Sequence, residues 1–214
     1  TSMPRAKLIK FAALDKLSNV GQVSLDNIQE KLDAFVNPEK CLILELGCGK
    51  GEYTLALAEQ FPNSQFIGVD IQGERLLPPA KFAVENKLDN VLFLRFQIEN
   101  ILEYFTKHTV SEIWLTFPDP RPKKKDIKKR LTSPRFLNLY KKILEPDGLI
   151  HLKTDDKTLF EYSLKIIDEE DGNILESHSG IEEQLENNPT LKIQTTYEKK
   201  QIAGNTIYYI RFQL

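Results

Sequence analysis

At 214 residues, 41% of them apolar and 28% charged, the chain can bury one sizeable core and is too short for two ordinary domains. No apolar stretch nears the roughly 20 residues of a bilayer helix, and the start lacks the charged, apolar and small-residue series of a secretory signal, so a cytoplasmic protein is expected. The net charge of −2 would argue against nucleic acid if it were evenly spread, but the charge is strongly segregated along the chain.

Thr1-Ser2 ahead of Met3 read as a cloning remnant, with the natural sequence starting at Met3. Helices are predicted over 5–17 and 25–35, followed by a strongly apolar strand, 41–46. Its flanking residues Cys41 and Cys48 lack CxxC spacing, and His108, His151 and His178 are scattered, which suggests neither a disulfide framework nor a metal site. Strands and helices then alternate: helix 52–60, strand 65–70, helix 75–86, strand 91–96, a short helix near 100–105 and strand 112–117. A basic loop enters a helix through Ser133-Pro134, an N-cap residue with proline at the first turn. Gly148 restarts a strand through Thr154. From Asp168 to Glu186 the chain carries eight acidic residues and no Lys or Arg, read as a solvated helix and loop. The stretches 192–202 and 205–213 alternate apolar with polar around Ala203-Gly204-Asn205 and predict a closing antiparallel hairpin.

The alternation predicts an α/β chain with a mostly parallel central sheet of seven strands, helices on both faces and a C-terminal antiparallel hairpin. That pattern resembles the Rossmann-like (class I) methyltransferase fold more than a dinucleotide dehydrogenase. The expected organisation is a single domain over 3–214: a helical extension (3–40), a cofactor-binding core (41–155) and a C-terminal helix and hairpin (156–214). Ligands should bind at the carboxyl ends of the parallel strands.

Gly47, Gly49 and Gly51 follow a strand and precede a helix, allowing a tight turn where a ligand can approach the backbone. Such turns also serve packing, and GxG alone is weak. Two features add to it. The dinucleotide fingerprint wants a third glycine where Glu52 stands. Glu45, two residues ahead of the loop, would repel a pyrophosphate but favour the ammonium and sulfonium of S-adenosylmethionine (AdoMet). Asp70, closing the next strand, is placed to accept hydrogen bonds from two ribose hydroxyls, although alone it could be a loop cap. Gln97 closes the third strand and could accept a bond from an adenine amino group through its carbonyl oxygen, or be a surface residue.

After the fourth strand the chain reads Thr116-Phe117-Pro118-Asp119-Pro120-Arg121-Pro122-Lys123-Lys124-Lys125. Prolines on both sides of Asp119 restrict its backbone and fix the direction of its carboxylate; a stiff surface turn is the bland alternative. From Arg121 to Arg135 eight Lys or Arg residues stand against one acidic residue, Asp126. Charge runs are usually solvated faces, but one beside a candidate active site suits phosphate contacts.

On these motifs, LELGCGKGEYT, FPDPRPKKKDIKKRLTSPRFL, HLKTDD and TTYEKK, in this order and spacing, the chain resembles the bacterial tRNA (guanine-N7-)-methyltransferase family. The resemblance implies methyl transfer from AdoMet to N7 of a guanosine in the tRNA variable loop, yielding 7-methylguanosine and S-adenosylhomocysteine, without a metal. It places AdoMet contacts on Glu45, Gly47, Gly49, Gly51, Asp70, Gln97 and Asp119, with Asp119 also catalytic. Substrate contacts fall on Lys123, Asp155, Thr195, Thr196, Tyr197 and Glu198, and tRNA contacts on Lys124, Lys125, Lys128, Lys129 and Arg130. The partner it implies is tRNA, for a monomer or a homodimer. Three positions depart from the family pattern: Gln97 replaces a usual Asp, Arg121 a usual Trp and Asp126 a usual His. An exocyclic amino methyltransferase is a rival reading, although Asp119-Pro120-Arg121 lacks the second proline and aromatic residue favoured there. A catalytically silent RNA-binding module of the same fold is another.

Overall fold

The computed structural model describes residues 5–214, with side chains described from residue 9 onward; Met3, the expected natural start, lies outside the described residues. The chain forms two compact units that divide between Asn100 and Ile101. The first contains α1 (Arg5–Leu14), β1 (Val20–Gln22), α2 (Ile28–Phe35), β2 (Leu42–Leu46), α3 (Glu52–Gln60), β3 (Gln65–Val69), α4 (Gly73–Glu85) and β4 (Val91–Arg95). Its four strands run parallel in the order β1-β4-β3-β2. Every residue of β2 and β3 is buried, as expected for parallel strands covered on both faces. Leu44, Ile67, Val69, Phe93 and Leu94 form the centre of this core.

The second unit contains β5 (Val110–Thr116), α5 (Pro134–Ile143), β6 (Leu144–Thr154), α6 (Lys157–Glu169), β7 (Asn173–Ser179), α7 (Thr196–Gln201) and β8 (Tyr208–Gln213). β5 pairs parallel with β6, and β8 pairs antiparallel with both β6 and β7. Ser133 is the N-cap of α5 with Pro134 behind it. Its hydroxyl does not cap the helix; it donates instead to the Lys128 carbonyl at 3.1 Å. Among the described residues no helix is long and apolar enough to cross a membrane.

The described strands number eight rather than seven. The addition is β1, three residues that pair with β4 and are too few to show periodicity. An antiparallel C-terminal pair is present, but its first strand is β7, within the acidic segment, and not 192–202. Two local signals account for this. Thr195 and Glu198 form a capping box that starts α7, and a helix start outweighs a short alternating pattern. In β7, the charge of Glu176 is met across the strands by Arg211, 3.0 Å away, and within the strand by His178, 2.7 Å away.

His151 on β6 lies in a polar row across the second unit. Its ring stacks on Trp114 with centroids 3.9 Å apart, and its nitrogens bond Tyr209 Oη (2.7 Å) and Glu112 (2.8 Å). Burial lowers its pKa from the ordinary 6.5, with Glu112 partly opposing. The neutral ring can accept the Tyr209 hydroxyl at Nδ1 while donating from Nε2 to Glu112. An unfolded chain takes up this proton near 6.5, whereas the folded chain resists. Stability present above 6.5 is therefore lost as pH falls toward the folded pKa. The urea midpoint should drop between about pH 7 and about pH 5, and His151→Gln should show a smaller drop; equal drops in both proteins would contradict the assignment.

Candidate functional site

In the first unit the loop joining β2 to α3 turns through three glycines with positive φ: Gly47 (74°), Gly49 (55°) and Gly51 (63°). They are needed for different reasons. A Cβ on Gly51 would come 2.7 Å from Phe93 and 2.9 Å from Pro79, so only glycine fits. A Cβ on Gly49 would meet nothing within 4 Å, so that position borders open space and only its φ asks for glycine. The N–H groups of Gly47 and Cys48 both donate to the Val69 carbonyl, at 2.8 and 2.9 Å, fastening the loop to the end of β3.

Two carboxylates flank this loop. Glu45, buried on β2, accepts from the N–H and hydroxyl of Thr54 at 3.2 and 2.7 Å. Asp70 follows β3 and is also buried; its Oδ2 accepts from Gly49 N–H (2.9 Å) and its Oδ1 from Gln72 N–H (2.8 Å). Gln97 lies beyond β4 and is exposed. Burial, followed by the Glu45 and Asp70 charges, pushes the Cys48 thiol up. Open space above a glycine turn, ringed by acceptors, suits a ligand that carries positive charge and hydroxyl groups.

In the second unit, β5 is followed by Phe117, which has φ +48° and donates its N–H to the Lys153 carbonyl at 2.7 Å. Arg121 also has φ +48°. Left-handed non-glycine residues cost on the order of 1 kcal/mol or more each and persist where surrounding contacts enforce them. Asp119 lies between these two bends with its side chain 59% exposed. Its Oδ1 accepts from Arg121 N–H at 3.0 Å, and its Oδ2 is 3.2 Å from Arg121 Nε. Arg121 is therefore a cation paired with Asp119.

The basic residues divide into exposed and buried ones. Lys123, Lys124, Lys125, Lys128 and Lys129 are exposed, the last four of them lying in a six-residue 3-10 turn from Lys124 to Lys129. Lys129 pairs with Asp126 at 2.7 Å. Arg130 is buried instead, donating to the carbonyls of Pro120 (2.9 Å) and Arg121 (3.3 Å).

The TTYE segment also divides. Glu198 is buried and 3.0 Å from Nζ of Lys153, a lysine with no exposed surface. Its other oxygen accepts from Thr195 N–H at 2.9 Å, and Thr195 Oγ1 accepts from Glu198 N–H at 3.2 Å. Lys153 also donates to the carbonyls of Leu191 (3.3 Å) and Ile193 (2.8 Å). Burial lowers the Lys153 pKa, with Glu198 opposing. Thr196 is half-buried. Tyr197 is partly exposed and tilts against Phe117, ring centroids 5.4 Å apart. Burial, then the charge of Asp155 and its hydrogen bond, push the Tyr197 hydroxyl up, so it remains a donor to Asp155. The structure thus brings Asp155, Tyr197 and Phe117 together. Lys153 and Thr54 were missed by sequence reasoning; the capping-box spacing Thr195-x-x-Glu198 was the signal that could have shown Glu198 turned inward. Among the described residues no group of three or more His, Cys, Asp or Glu side chains is arranged to hold a metal ion.

The 30S ribosomal A1408 methyltransferase from an uncultured bacterium matches this structure with a TM-score of 0.62 at 17% identity, over 86% of this chain and 93% of its own. That likeness is one of fold: the architecture is the Rossmann-like fold of that enzyme. A family model described as "Putative methyltransferase" matches residues 39–210. The tRNA (guanine-N(7)-)-methyltransferase of Christiangramia forsetii is 42% identical over 218 residues, covering 97% of each chain. Its namesake from Cytophaga hutchinsonii is 34% identical over 219 residues, covering 99% of this chain and 98% of its own. The chain belongs to the tRNA (guanine-N(7)-)-methyltransferase family.

Removing one partner of a buried ion pair leaves the other charge uncompensated, at about 3–5 kcal/mol. Glu198→Ala should therefore lower the unfolding free energy by about that amount in urea titrations at neutral pH. A loss below about 1 kcal/mol would mean that Lys153 finds other compensation.

Proposed function

We propose that this chain transfers the methyl group of AdoMet to N7 of a guanosine in the variable loop of tRNA, forming 7-methylguanosine and S-adenosylhomocysteine. The observation that carries the reading is Asp119: an exposed carboxylate held between two prolines and two strained bends, directly ahead of exposed lysines. Membership of the family supports it. Residues 3–214 act as one methyltransferase domain, the family match running from 39 to 210.

Glu45, Asp70, Gln97, Asp119 and the turn through Gly47, Gly49 and Gly51 hold the cofactor. Its ribose hydroxyls suit Asp70, and its positive groups suit Glu45. AdoMet, when bound, supplies a methyl group on a positively charged sulfur. Guanine N7 has a lone pair and no proton, so methylation there needs no base to remove one. Positive charge builds on the purine as the bond forms, and the fixed carboxylate of Asp119 offsets it with little reorganisation. Lys123, Asp155, Thr195, Thr196 and Tyr197 contact the substrate, while Glu198 acts by holding α7 in place. Lys124, Lys125 and Lys128 meet phosphates; Lys129 contributes less because Asp126 already neutralises part of its charge.

Incubating the chain with bulk tRNA and labelled AdoMet should yield label in 7-methylguanosine on nucleoside analysis; label confined to another nucleoside would overturn the reading. Asp119→Asn should bind AdoMet by calorimetry yet slow single-turnover methylation, and an undiminished rate would remove Asp119 from the chemistry. Alanine at Lys124, Lys125 and Lys128 should flatten the log–log salt dependence of tRNA binding by up to ~1 per lost phosphate contact. An unchanged slope would exclude the turn from the RNA interface.

A further inference from the structure

Arg130 ends the basic run without sharing its exposure. It is 5% exposed, and its guanidinium lies over the Tyr162 ring, 4.4 Å from the centroid. Nε donates to the Pro120 carbonyl at 2.9 Å and Nη2 to the Arg121 carbonyl at 3.3 Å. Those carbonyls belong to the two residues that follow Asp119. Arg121 is in turn the residue whose N–H and Nε engage the two oxygens of Asp119, and it does so from a left-handed backbone. A side chain that binds phosphate has to present its N–H groups to solvent, whereas this one directs two of them at protein carbonyls and its flat face at an aromatic ring.

We infer that Arg130 is a positioning residue for Asp119: it grips the Pro120 and Arg121 carbonyls and so fixes the direction in which the carboxylate points. The inference rests on the proposed role of Asp119 in methyl transfer. Arginine is suited to the task because a rigid plane carries several diverging N–H groups and also stacks. A lysine keeps the charge but offers a single ammonium on a flexible stem, which cannot reproduce two bonds and a stacked face together. Because Arg130 is turned inward, its loss acts on the rate of the chemical step and leaves the electrostatic attraction of RNA to the exposed lysines untouched.

The test compares the wild-type full chain with Arg130→Lys and Tyr162→Leu, following thermal melting, single-turnover methylation with saturating AdoMet, the KM for tRNA and the salt dependence of tRNA binding. Arg130→Lys should slow single-turnover methylation by about ten- to a hundredfold, the scale of a small misplacement of a reacting group, with KM and salt slope unchanged. Tyr162→Leu, which removes the stacking platform and keeps the cation, should slow the same step by a smaller factor, and it decides the matter if Arg130→Lys shows no cooperative melt. A wild-type rate in the folded variant, or a flatter salt slope at an unchanged rate, overturns the inference. A wild-type chain that forms no 7-methylguanosine removes the functional reading and this inference with it; an active wild type beside an equally fast variant removes the inference alone.

Discussion

An ammonium withdrawn from water has to recover what its hydration shell supplied, and Lys153 does so with the Glu198 carboxylate and the carbonyls of Leu191 and Ile193. The cost of burying it is several kcal/mol before these partners are counted, so the segment that supplies them cannot wander. That segment has only short regular elements, a 3-10 turn, Pro189–Lys192, and the six residues of α7, well below the length at which a helix holds itself together in water, so it relies on this ion pair together with the buried side chains of Leu191, Ile193 and Ile202. The backbone of the same lysine accepts from Phe117 N–H, where β5 turns into the Pro-Asp-Pro stretch. One residue of β6 thus secures two loops, by its main chain on one side and its charge on the other.

The first unit uses the opposite sign for the same end. Asp70 accepts backbone N–H groups at both oxygens, and Glu45 receives two bonds from Thr54. Each carboxylate oxygen can accept more than one hydrogen bond, so Asp70, which shapes the turn through Gly49 N–H at one oxygen and Gln72 N–H at the other, can do so and still accept from a ligand. Residues proposed to bind the cofactor are therefore also part of the fold, and the internal bonds that shape the turn limit the ordering that binding must supply.

The sequence made the alternation from 41 to 154 legible because buried parallel strands read as apolar runs, and it made the glycine turn legible because φ leaves few substitutes for glycine. What it concealed depends on contacts distant in the chain. β1 owes its order to β4, and β7 is ordered by pairing with β8 although its own residues are mostly polar and exposed. The cations from Lys123 to Arg130 look alike as letters. Only the position of the Pro120 and Arg121 carbonyls and of Tyr162 separates the one turned inward from those facing water. Glu198 is a parallel case, since its buried partner Lys153 lies far back in the chain. The expected hairpin strand over 192–202 was a local pattern overruled by a local cap.

Cys48 sits within the glycine turn, and its thiol is held up by burial and by two neighbouring carboxylates. A thiolate is among the strongest nucleophiles a protein can present, and a thiol is a weak one. A turn proposed to carry a methyl electrophile would be poorly served by a thiolate in its own backbone, which could take the methyl group irreversibly. Burial first, and then the Glu45 and Asp70 charges, keep this sulfur protonated, so the two carboxylates proposed to favour a sulfonium add to the protection of the turn from alkylation.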